Sequence, residues 1–195
     1  MVKIKSLVLI LTSFAATTTM AESPSFNYLQ VGFQSVELDA GVFYEDGDRY
    51  ALGGSFEIGE NLFGFANYGQ TDFDFGAEVT QLQLGLGARA GISDRTDFFA
   101  RVAYVEGEFG VAGFIPSDDS GYGLGIGVRS NVSDLIELYA EIAYVDLGDS
   151  SDSTGTAFGG GIWFNLNETF ALGLGTAAEE HVTSFGANAR VYFGR

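Results

Sequence analysis

The sequence contains no cysteine, only 2 prolines and a single histidine in 195 residues, and its two lysines, Lys3 and Lys5, both stand at the start. Without cysteine there is no disulfide framework, no thiolate metal site and no cysteine nucleophile. Positive charge is scarce as well: 9 Lys and Arg face 26 Asp and Glu, a net charge of -17, which argues against a nucleic-acid binder. Beyond the first residues, no run approaches the roughly 18 unbroken apolar residues of a spanning helix. What the chain has in quantity is glycine, 28 residues, with 9 Tyr and 18 Phe. So much glycine and so little proline do not describe a helical domain. A hydrophobic fraction of 46% is too apolar for a disordered polymer, and the length predicts one domain.

The first residues read as a targeting segment. Lys3 and Lys5 precede the apolar run Leu7–Leu11, then small residues, then Thr19-Met20-Ala21 before Glu22. The expectation is a cleaved signal peptide at 1–21 and a single domain at 22–195. Removing the two lysines leaves 9 - 2 = 7 arginines against 26 acids, or 7 - 26 = -19. The exported chain is then either soluble or crosses a membrane as strands.

Periodicity separates these. In QLQLGLGARAGI, residues 81–92, Leu82, Leu84, Leu86, Ala88, Ala90 and Ile92 share one face, with Gln81, Gln83, Gly85, Gly87, Arg89 and Gly91 on the other. Residues 121–129, GYGLGIGVR, put Tyr122, Leu124, Ile126 and Val128 opposite four glycines and Arg129, and residues 184–193 repeat the pattern up to Val191 and Phe193. Similar segments start near Tyr28, Arg49, Asn61, Asp97, Leu135, Thr156 and Thr169, the last carrying Leu172 and Leu174. The count is about ten strands, with eight as the alternative. Tight turns are expected at 59–61, 93–95, 131–134 and 165–167, and longer acidic loops at 39–48, 71–78, 106–120, 146–154 and 177–181. Short turns on one rim and long loops on the other describe an all-β, transmembrane, antiparallel up-and-down barrel of the outer-membrane kind.

A soluble sandwich or barrel also alternates, but it turns its apolar face inward and carries charge outside. Here the polar faces carry glycine, glutamine and charge. Arg49, Arg89, Arg101, Arg129 and Arg190 share those faces with Glu57, Glu137 and Glu141, which predicts a lumen filled by arginine–carboxylate pairs. Tyr28, Phe99, Tyr139 and Trp163 have the same inward parity. Leu82, Leu84, Leu86, Leu124, Ile126, Val128, Leu172 and Leu174 are expected to face lipid. Tyr50, Tyr104, Tyr122 and Tyr144 end the apolar rows on one side, and Ile58, Phe98, Phe164, Phe170 and Phe193 on the other, as aromatic girdles would.

SDRTDFFARVAY at 93–104, GIGVR at 125–129 and the closing alternation ending in Tyr192-Phe193 resemble the small outer-membrane β-barrel proteins of Gram-negative bacteria. The likeness is to the OmpA- and OmpX-like barrels, close to their Ax-type branch, and spans about 25–193. It implies no catalytic residue and no cofactor. It also implies that Val191 and Phe193 form a signal for the barrel-assembly machinery, and that the remaining partners are outer-membrane lipid and lipopolysaccharide. A structural or surface-interaction role follows, with a narrow porin-like channel for ions or small solutes as the alternative.

The remaining motifs read plainly. GYGLGIG lies in a strand, not at a strand-to-helix turn, and does not bind nucleotide. His181 and Ser184 are three residues apart and fall on opposite faces of an extended strand, so they form no catalytic pair. Asp72 with Asp74, and Asp118 with Asp119, solvate loops. No metal site is expected.

Overall fold

The computed structural model describes residues 23–39, 41, 44–111, 117–148 and 154–194. The expected leader at 1–21 lies outside the described residues, as do parts of three of the expected loops. Ten strands follow one another as antiparallel neighbours: β1 Tyr28–Asp39, β2 Tyr44–Glu57, β3 Leu62–Phe73, β4 Ala77–Ser93, β5 Thr96–Val111, β6 Ser117–Asn131, β7 Ile136–Asp146, β8 Thr154–Asn165, β9 Phe170–Glu179 and β10 Val182–Tyr192. β1 pairs with β10, from Tyr28↔Tyr192 to Leu38↔Val182, and closes the barrel. The strand number is therefore ten, not eight.

The period-two pattern works because each neighbour in register places residues of one parity on one wall. Gly59, at φ +79°, begins the β2–β3 turn where a side chain would be strained. The inner wall is made narrow enough to fill by setting rings on glycines. A Cβ on Gly173 would lie 2.7 Å from Trp163 Cδ2, and Cβ atoms on Gly87 and Gly127 would strike the Phe63 and Phe99 rings. The four short turns fall where expected, between β2 and β3, β4 and β5, β6 and β7, and β8 and β9.

The long loops do not match the expectation. β2 begins at Tyr44, β3 reaches Phe73, β4 starts at Ala77 and β5 runs to Val111. Segments expected as loop are strand, and Gly47 sits inside β2 opposite Phe73. The physical reason is a change of sign along the barrel axis. Toward this rim, Val36, Phe73, Ala77 and Val79 point inward and are buried, while Glu37, Asp48, Asp72, Glu78, Glu106 and Glu108 point outward and are exposed. Nearer the turns the polarity is reversed, with Leu52, Leu84, Leu86 and Ile126 exposed and Arg49, Asn67, Gln83 and Arg129 buried. The first arrangement is that of a wall standing in water and the second that of a wall standing in lipid.

Candidate functional site

Large side chains occupy the interior of the barrel in tiers. At the rim of the short turns, the residues before β1 enter the barrel. Phe26 is buried against Phe63, at 4.3 Å between ring centroids, and meets Phe99 edge-on. Arg89 Nη1 donates to the Pro24 carbonyl at 2.9 Å and Arg129 Nη2 to the Ser25 carbonyl at 3.2 Å. The Phe26 N–H donates to Glu57 Oε1 at 3.0 Å. Arg129 also lies 4.3 Å from the centre of the Phe26 ring, within cation–π range.

Above this plug stand the ion pairs. Arg129 meets Glu137 through two hydrogen bonds, Nε to Oε1 at 3.0 Å and Nη2 to Oε2 at 3.3 Å, with both side chains buried. Arg101 Nε donates to Glu141 Oε1 at 2.6 Å. Arg101 is on β5 and Glu141 on β7, so the pair reaches across β6 at Gly125, where a Cβ would sit 2.9 Å from Arg101 Nε. At the mouth, Arg89 lies 3.3 Å from Glu57 and 3.4 Å from Asp97.

The expectation of arginine–carboxylate pairing fails for the other two cations. Arg190 makes no ion pair among the described residues and is held between aromatic faces. Its Cζ is 3.9 Å from the Trp163 ring centre and 4.0 Å from that of Tyr28, and Nη2 donates to Gln30 Oε1 at 2.7 Å. Arg49 has neither a carboxylate nor a ring among the described residues. Parity places a residue on the inner wall, but it does not say which partner the shear of the barrel will bring opposite.

Beyond Arg49 an apolar cluster of Val36, Phe73, Ala77, Val79 and Val182, with Leu38, Phe109 and Val111 packed on it, closes the inside at the acidic rim. Glu179 ends β9 at that rim, where burial and the neighbouring Glu180 hold its carboxyl up at about 8. His181 is exposed in the following turn, its Nε2 3.6 Å from Glu180.

On the outer wall, Leu84, Leu86, Leu124, Ile126, Val128, Leu172 and Leu174 are exposed and Leu82 is half-buried. Tyr50, Tyr104 and Tyr122 are exposed near one end of this band and Phe98, Phe170 and Phe193 near the other. Val191 is exposed, and the Phe193 N–H donates to the Asn27 carbonyl at 3.2 Å. The pattern reading missed Phe26, which precedes the first strand and so belongs to no alternation. It also missed Asp97 as an inward acid, buried one residue into β5.

A model of the outer membrane protein beta-barrel domain family matches residues 6–161. No curated protein matches the sequence. Among solved structures, the NanC porin is similar at a TM-score of 0.57 and 8% identity, over 85% of this chain and 100% of its own. The KdgM porin, in complex with disordered oligogalacturonate, is similar at 0.51 and 8%, over 86% and 99%. The β domain of the Bordetella autotransporter BrkA is similar at 0.51 and 13%, over 86% and 99%. At these identities the likeness is one of fold.

Proposed function

Because the chain belongs to the outer membrane protein β-barrel family, we propose that it is a non-enzymatic envelope protein with a structural or surface-interaction role, exported through a cleaved leader at 1–21. The observation that carries this reading is the filled interior: an apolar cluster at one end, ion pairs in the middle and Phe26 with its arginines at the other. A wall of ten strands encloses little room, and here large side chains occupy it. The exposed apolar band with its aromatic ends is the lipid-facing surface, and the acidic rim stands outside the cell, where lipopolysaccharide surrounds it. Val191 and Phe193, exposed at the end of β10, serve as the signal for the barrel-assembly machinery.

Conductance tests the reading. The full chain reconstituted in planar bilayers is expected to show no sustained open-channel current, because the tiers leave no continuous water column. A large and steady conductance would move the protein to the narrow-channel alternative, with the same arginines lining its path.

Orientation is tested separately. An epitope inserted at Gly41, in the exposed β1–β2 connection, is expected to be reached by antibody on intact cells, and one at Asp94, in a tight turn, only after permeabilisation. The opposite labelling would reverse the barrel in the membrane.

A further inference from the structure

Arg49 is the one lumen cation whose charge nothing in the described structure answers. Its residue is 1% exposed; Nη1 donates to Thr71 Oγ1 at 3.2 Å, and Nε and Nη2 have no hydrogen-bond partner. The guanidinium leans over Gly69, where a Cβ would lie 2.9 Å from its Cζ. The next inward residue of β3 toward the turns is Asn67, 2% exposed, whose amide nitrogen and oxygen are both unpartnered. Two glycines therefore let these side chains lie against the wall, since Asn67 in turn rests over Gly53. Three N–H-bearing atoms, Nε and Nη2 of Arg49 and Nδ2 of Asn67, are buried in one stretch of wall without an acceptor.

The charge count agrees. Below the acidic rim, five arginines (49, 89, 101, 129 and 190) face four inward carboxylates, Glu57, Asp97, Glu137 and Glu141, a balance of 5 - 4 = +1. Arg89 meets two of the four carboxylates, so Arg49 and Arg190 are both left without one; Arg190 is stacked between rings, whereas Arg49 has no such compensation. A buried guanidinium without a counter-charge is among the most unfavourable arrangements a protein interior holds. We infer that Arg49 and Asn67 hold a small inorganic anion of the halide class inside the barrel. The apolar cluster with Val36, Phe73 and Val79 lies on the acidic-rim side of Arg49 and offers no polar partner there, which favours a small ion over a sugar acid or a phosphorylated headgroup. The anion enters as the barrel closes or during its opening fluctuations, and it acts as a structural counter-ion. This inference does not depend on whether the protein conducts.

Two measurements test it. In crystals of the full chain grown with bromide, an anomalous peak is expected within hydrogen-bond distance of the Arg49 guanidinium; its absence there would overturn the site. In thermal unfolding at constant ionic strength, replacing gluconate by chloride is expected to raise the midpoint of the unmutated protein in proportion to the logarithm of the chloride concentration once the site is filled, because an ion bound only by the folded state stabilises it by mass action. Arg49→Gln is expected to abolish that response, and Arg49→Lys to retain part of it. Equal chloride responses in the unmutated protein and Arg49→Gln would sink the assignment. If Arg49→Gln fails to fold, the bromide peak decides alone.

Discussion

Arg129→Ala is expected to lower the unfolding free energy by about 3–5 kcal/mol, the usual consequence of removing one member of a buried ion pair. Glu137, fully buried, would keep its carboxylate and lose both guanidinium bonds. The same change releases the Ser25 carbonyl and one cation over the Phe26 ring, so the plug loosens with it. Denaturant unfolding in lipid vesicles measures the loss. Arg129→Ala combined with Glu137→Ala is expected to be less destabilised than the sum of the two single changes, since neither charge is then stranded. A single-variant loss below about 1 kcal/mol would mean that water already reaches the pair.

Leu84→Arg and Ile126→Arg come next in size, at about 2–4 kcal/mol each where the site lies near the bilayer midplane. Ile126 pairs with Ala100 and Ile142, within the apolar band, and takes the larger loss; Leu84 pairs with Ala66 and with Tyr104 at the aromatic end, so its loss is expected to be the smaller of the two. Leu84→Val supplies the control and is expected to refold with little loss. Equal refolding of Leu84→Arg and Leu84→Val into vesicles would show that this face does not meet lipid. Gly125→Ala, on the inner wall, is expected to be destabilising as well, because its Cβ would lie against the Arg101–Glu141 bridge.

The strands and their two faces were legible because alternation survives any pairing: parity alone assigns Leu84 and Gln83 to opposite walls. The strand ends were harder to read. In AEVTQ, residues 77–81, Ala77 and Val79 alternate with Glu78 as regularly as the leucines do, but with the polarity inverted, so a search for apolar-outward strands takes the segment for loop. The lumen was legible as a composition and not as a set of partners. Arg101 finds Glu141 two strands away across Gly125, and Arg190 finds Tyr28 and Trp163, contacts set by shear and side-chain length. Nothing in the order of residues marks Arg49 as different from Arg129. The difference lies in the neighbours: Glu137 in one case, Thr71 and a glycine in the other.

The seam between β1 and β10 sets a timetable for biogenesis. Tyr28 pairs with Tyr192, 192 - 28 = 164 residues later, so the first strand to emerge during export has its second partner delivered last. Until then every growing sheet carries two unsatisfied edges and an apolar outer face, a combination prone to misassociation in the aqueous compartment it crosses. Docking of Phe26 must wait for later strands as well, since its bed includes Phe99 on β5 and its neighbour Arg129 lies on β6. The closing seam is thereby the last part of the ring whose two edges can both be present.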